Sequence, residues 1–285
     1  MLDYLRAQTG KRMVGGQVDL PDLKWVAENS GRTPKILGLD FMSYTSQMGK
    51  HVENTQIAID WVKKHGGLVT FQWHWVSPTG AKDLGKGFYT GSTDFDLAAT
   101  LAAPQSAGYR ALLSDIDDVA AELKKLATAK VPVLFRPLHE AQGRWFWWGA
   151  KGPEACVALY RLIFDRFTRV HGLHNIAWVW NVYPASQDKG DPVAWYPGNS
   201  IVDVVATDYL QDGLAYRDLV HLTDGHKIVA LAETMNPPLP QKSFADGAMW
   251  SYWVAWARRD WNKNSASDMK ASMTAAATVT LESKR

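Results

Sequence analysis

Apolar residues along the chain fall into short continuous runs separated by longer stretches with helical spacing. The runs are Lys11–Gln17, Lys35–Phe41, Leu68–Trp73, Val131–Pro137, Ile176–Asn181, Ile201–Asp208, Lys227–Ala232 and Met249–Trp256. Nearly unbroken apolar runs of this length are strands buried on both faces, as in a parallel sheet. Between them, helical spacing predicts helices over Leu2–Gln8, Pro21–Asn29, Thr55–His65, Ser114–Ala129, Pro153–Val170, Leu214–Leu222 and Asp268–Ala277, with a short one near Val193–Tyr196. Asp19 is placed to cap the second helix, Gly31 and Gly66 to stop the second and third, and Ser114 or Asp115 to start the fourth. Glycines in the first run mark a turn or a close backbone approach. Strand alternating with helix through eight strands predicts a single-domain (β/α)8 barrel over residues 1–285, with no internal repeat and no linker.

In such a barrel the residues at the C-terminal strand tips face the active site. The rule selects Asp40, His74, His139, Glu140, Asn181, Asp208, Glu233 and Trp256. Two carboxylic acids among them follow apolar strands that face each other across the mouth: Glu140 after the fourth and Glu233 after the seventh. Paired carboxyls across a cleft are the requirement of glycoside hydrolysis. A separation of about 5–5.5 Å implies retention of anomeric configuration, and about 6.5–9.5 Å inversion. The competing reading for either acid is a salt-bridged strand end, with Arg136 as partner to Glu140. His139, a second tip acid and the aromatic run Trp145–Trp148 outweigh it.

Composition sharpens this picture in one respect. The chain has 14 Trp, and roughly half are assigned to a cleft where flat indoles stack on sugar rings. Trp147, Trp148, Trp178 and Trp180 are balanced between core and cleft. Net charge is +2 with scattered basic residues, which excludes a nucleic-acid or membrane-surface footprint. The single cysteine, Cys156, reads as a buried inert thiol. His74 and His139 lack a third strand-tip His or Cys, so no zinc site is expected. The other histidines read as surface or satisfied polar groups. No membrane span or leader is visible, leaving a cytoplasmic protein or a mature secreted one.

The stretch Arg136–Ala155, RPLHEAQGRWFWWGAKGPEA, resembles the signature of glycoside hydrolase family 26. The likeness extends through FQWHW (Phe71–Trp75), GFYTGSTDFDL (Gly87–Leu97), DIDDVAAELKKL (Asp115–Leu126), HGLHNIAWVWN (His171–Asn181), WYPG (Trp195–Gly198) and VDVV (Val202–Val205). The resemblance implies a retaining endo-β-1,4-mannanase acting on mannan, glucomannan or galactomannan, extracellular and monomeric, without cofactor or metal. It places the acid/base at Glu140 and the nucleophile at Glu233. It also implies substrate contacts at His74, His139, Trp145 and Trp256, with Trp75, Arg136 and Tyr209 as further candidates. Two departures stand out. Tyr209 follows Asp208 directly where the family has Asp-x-Tyr, and Glu233 runs into Thr234-Met235-Asn236-Pro237-Pro238 rather than a small turn. A β-glucanase, a β-1,3-xylanase or a non-catalytic glycan-binding barrel are the alternatives.

Overall fold

Eight short parallel strands close on themselves, in the order β2-β3-β4-β5-β6-β7-β8-β1 with β1 also paired to β2. They are β1 (Met13–Val18), β2 (Ile36–Asp40), β3 (Leu68–Gln72), β4 (Val133–Arg136), β5 (Ile176–Val182), β6 (Val204–Asp208), β7 (Ile228–Thr234) and β8 (Tyr252–Ala255). The computed structural model describes residues 1–48, 53–182, 192–208, 213–258 and 265–283. Each strand lies within a few residues of an apolar run, because burial on both faces demands the near-continuous pattern. The result is the predicted (β/α)8 barrel.

The barrel interior is filled by branched and small residues, among them Val14, Ile36, Leu134, Val179, Val204, Ala206, Ala230 and Val254, together with Tyr252. A second apolar layer lies between strands and helices and holds most of the indoles. Close approach explains the glycine in β1: a Cβ at Gly16 would sit 2.8 Å from the Trp253 carbonyl oxygen. Ten tryptophans among the described residues are buried, including Trp147, Trp148, Trp178 and Trp180, so packing claims more of them than the half expected. Cys156 is buried and unpaired, and burial pushes its thiol up to about 12.

Helices occupy the expected intervals. Asp19 caps the helix Leu20–Ser30 by accepting the Asp22 N–H, and Gly31 ends it in the left-handed conformation. Gly66 ends the helix Asn54–His65 in the same way. One start differs: the fourth long helix runs Ala107–Thr128 and is capped by Ser106, not by Ser114 or Asp115. Asp115 instead lies on the buried face, where it anchors a loop. The helix Pro153–Asp165 passes into a π-helical turn, Arg166–Val170. The two-residue strand β9 (Thr278–Val279) adds outside β1, too short to leave a periodic signal. No helix among the described residues is long and apolar enough to cross a membrane.

The helical turn Trp147–Ala150 presses against the loop after β4 so closely that a Cβ at Gly149 would lie 2.0 Å from the Ala141 carbonyl oxygen. Backbone rather than a movable side chain blocks the space. Gly149→Ala is therefore expected to destabilise the protein by about 2–3 kcal/mol, measured as a shift in the denaturation midpoint. An unchanged midpoint would show that the two segments separate freely.

Candidate active site

Polar side chains at the C-terminal tips of the strands converge on one buried guanidinium. Arg136, the last residue of β4, is 2% exposed. Its Nη1 donates to Asp208 Oδ2 at 3.2 Å, and its Nη2 contacts Glu233 Oε1 at 3.0 Å and donates to Gln72 Oε1 at 2.5 Å. The fork thus ties β3, β4, β6 and β7 together at the floor of the mouth. With these bonds made, Arg136 is a holder of carboxylates rather than a sugar contact, and its partners are Glu233 and Asp208 rather than a Glu140 salt bridge. Carboxylate oxygens of Glu140, Asp208 and Glu233 lie within 4.8 Å of one another. Arg136 supplies the positive charge such a crowd of acids requires.

Glu140 reaches this group from a strained loop. Leu138, Glu140 and Arg144 all adopt the left-handed conformation, with φ of 54°, 54° and 58°. For residues other than glycine this costs about 1–2 kcal/mol each, and such strain persists where the surroundings dictate it. The turn aims the Glu140 side chain into the mouth. Its backbone N–H donates to Asn181 Oδ1 at 3.2 Å, and its Oε2 accepts the Trp145 indole N–H at 3.0 Å. Burial, then the charge of Glu233, raise the Glu140 pKa, with Arg136 opposing. Glu233 sits in β7 against the guanidinium. The two acids thus occupy unlike settings, one bonded by an indole N–H and one by the guanidinium.

A second chain of contacts leads in from β2. Asp40 Oδ2 lies 2.6 Å from His74 Nδ1 and also accepts from Gln72 Nε2 at 3.0 Å. The Asp40 carboxyl, despite a burial cost, is held below its usual value by His74. The reciprocal attraction, together with Glu233, raises His74 against its own burial. His74 Nε2 stands 3.2 Å from His139 Nε2. His139 is kept neutral by burial and by the charges of Arg136 and His74. When His74 is protonated its Nε2–H points at His139 Nε2, so the His139 proton lies on Nδ1. That atom is buried and meets no partner among the described residues. It is a donor ready for a ligand.

Aromatic residues form the adjoining wall. Trp145 is partly exposed beside Glu140, whereas Trp147 and Trp148 are buried behind it. Trp148 Nε1 donates to the His139 carbonyl and Trp147 Nε1 to the Trp75 carbonyl, at 2.9 and 2.6 Å. Trp75 was expected among the substrate contacts, but it is 0% exposed. Its indole stacks on Trp73 at 3.9 Å, and its N–H goes to Asp115 Oδ2 at 2.8 Å. It supports the wall from behind. Asp115 Oδ1 also accepts from the Ser46 N–H and hydroxyl, tying the loop after β2 to the same wall.

The long connection after β3 is stitched onto this wall. Thr90 N–H donates to the Trp145 carbonyl at 2.7 Å, Thr90 Oγ1 to the Arg144 carbonyl at 2.9 Å, and Trp147 N–H to the Phe88 carbonyl at 3.1 Å. On the opposite side, Trp256 follows β8 and its N–H donates to the Thr234 carbonyl at 3.0 Å, next to Glu233. Tyr209 lies outside the described residues. Gln72 and the central part played by Asp208 were not anticipated; the polar last residue of β3 was the available signal for Gln72.

A closed parallel barrel whose mouth holds opposed carboxyls beside an aromatic wall defines a class: barrels arranged for glycoside chemistry. Comparison with known proteins gives the particular group. Residues 1–283 match glycosyl hydrolase family 26, and the chain belongs to that family. It is 40% identical over 280 residues to a mannan endo-1,4-beta-mannosidase of Thermothelomyces thermophilus, covering 92% of this chain and 56% of the relative. The crystal structure of a Podospora anserina GH26-CBM35 β-(1,4)-mannanase superposes with a TM-score of 0.91 at 37% identity, covering 99% of this chain and 65% of that one. A β-mannanase from a symbiotic protist of the termite Reticulitermes speratus, complexed with gluco-manno-oligosaccharide, gives 0.85 at 28% identity, covering 98% and 92%. The chain spans about half the length of the curated relatives it matches.

Proposed function

We propose that this protein is a retaining endo-β-1,4-mannanase, with Glu140 as acid/base and Glu233 as nucleophile. The observation that carries the reading is the carboxyl pair itself. Oxygens of Glu140 and Glu233 approach within 4.8 Å of each other, which supports the short separation of a retaining pair. Glu140 gives its proton to the glycosidic oxygen as Glu233 attacks the anomeric carbon. The leaving chain departs past Trp145, and a glycosyl-enzyme remains on Glu233. Water then enters, loses its proton to Glu140 and releases the sugar with its original anomeric configuration. His139 Nδ1–H, His74, Trp145 and Trp256 line the position of the sugar. A mannan substrate is supported by the names of the relatives above, and a polymer too large to enter a cell supports action outside it.

The test is reducing-sugar release from linear β-1,4-mannan, mixed-linkage β-glucan and β-1,3-xylan, with the first-formed anomer followed by NMR. Rapid release of β-configured ends and mixed oligosaccharides from mannan is expected. Activity confined to glucan, or initial α-anomers, would overturn the proposal. If Glu140→Ala and Glu233→Ala both retained full turnover, the catalytic roles would be misassigned.

A further inference from the structure

Glu140 holds two oxygens in unlike settings. Oε2 accepts the Trp145 indole N–H, whereas Oε1 is buried and receives no N–H or O–H among the described residues. The Glu140 and Asp208 carboxyls nonetheless adjoin, with oxygens within 4.8 Å and within hydrogen-bond reach of each other. Two carboxylates cannot bond without a proton between them. Asp208 is 0% exposed, and its remaining contacts are already fixed. Asn181 Nδ2 donates to its Oδ1 at 3.0 Å, and Arg136 Nη1 to its Oδ2 at 3.2 Å. Every element around the pair contributes a polar group: Arg136 from β4, Asn181 from β5, Glu233 from β7 and the buried Tyr252 hydroxyl from β8.

We propose that Asp208 shares the acid/base proton with Glu140 and, with Arg136, takes up the negative charge that leaves Glu233 in the glycosyl-enzyme. The charge balance rests on the function proposed above. At rest, Glu233 carries one negative charge and the Glu140–proton–Asp208 pair another. Glycosylation breaks the glycosidic bond, joins the anomeric carbon to Glu233, and passes the shared proton to the leaving oxygen. Glu233 becomes a neutral ester, and Glu140 and Asp208 are both ionised. The total negative charge is unchanged; it has moved from one side of Arg136 to the other. Because the guanidinium touches both Glu233 and Asp208, it compensates the charge before and after the step without moving. Water attack then returns the proton to the pair. Asp208 is thus a positioning residue, acting through Glu140.

Asp208→Asn removes a negative charge and offers an amide N–H to Glu140, both of which favour ionised Glu140. The alkaline limb of kcat/KM on mannan is expected to move down by about two pH units, with a loss of about 100-fold on the wild-type alkaline limb. On 2,4-dinitrophenyl β-mannobioside, whose leaving group needs no proton, the loss should stay below about tenfold. Equal losses on both substrates with an unmoved alkaline limb would reduce Asp208 to a structural part and overturn the proposal. Infrared spectra supply a second readout. Wild type at neutral pH should show a protonated-carboxyl band that is absent from Glu140→Gln and lost or shifted in Asp208→Asn, or in Asp208→Ser should the amide variant not fold. A band unchanged by loss of Asp208 also overturns it. Wild type inactive on every glycan would instead strike the mannanase reading, leaving a distinct signature.

Discussion

Glu233→Ala is expected to lower kcat on mannan by on the order of 10⁴-fold or more, while the fold and mannan binding persist. The substitution removes the proposed nucleophile, and β7 carries no other acid to replace it. Glu140→Ala should behave differently. Without a proton donor, cleavage of mannan falls about 10²–10⁴-fold, but aryl mannosides with good leaving groups still form the glycosyl-enzyme. That intermediate accumulates because no base activates water. Azide needs no deprotonation, so it should restore turnover and yield a β-configured glycosyl azide. The measurements are steady-state rates on both substrate types and NMR of the azide product. A Glu140→Ala variant equally impaired on both, and unmoved by azide, would remove the acid/base assignment.

The second large effect concerns Arg136. Arg136→Met leaves Glu233 and Asp208 buried beside Glu140 with no cation among them. Loss of one partner from a buried ion network destabilises by about 3–5 kcal/mol. Arg136→Lys should not rescue it, since a single ammonium cannot span the Gln72, Asp208 and Glu233 contacts that the planar fork makes. The pH dependence has a definite sign. Acids left without their cation have folded pKa values above their unfolded ones, so the native state binds more protons and stability falls as pH rises. Thermal melts of the Met variant should therefore approach wild type at mildly acid pH and diverge toward neutrality. A deficit that stayed constant across that range would show that packing, not charge, is what Arg136 supplies.

Much of this was legible in the residues alone, for physical reasons. A parallel strand must be apolar on both faces, and a helix must show one apolar stripe, so the eight strands and the main helices announced themselves. The tip rule then picked Asp40, His74, His139, Glu140, Asn181, Asp208 and Glu233, and the structure brings them into one continuous network. Contact between side chains was not legible. Arg136 and Trp75 stood in the right segment, yet local sequence carries no sign of which face of a strand end meets the sugar and which meets a carboxylate or a helix. Asp115 resembled a helix cap because a cap and a buried anchor use the same residue. Its true partners, Ser46 and Trp75, lie far away in sequence.

The stitching of Phe88 and Thr90 onto Arg144, Trp145 and Trp147 bears on how this barrel can be redesigned. Loops around a barrel mouth are usually treated as exchangeable parts on an indifferent frame. Here the long insertion and the acid-bearing turn are one module, since the insertion holds the backbone whose indole bonds Glu140. Shortening residues 77–96 to widen the groove would reset Glu140 as well as the groove. A graft intended to alter chain-length preference must therefore carry both segments together.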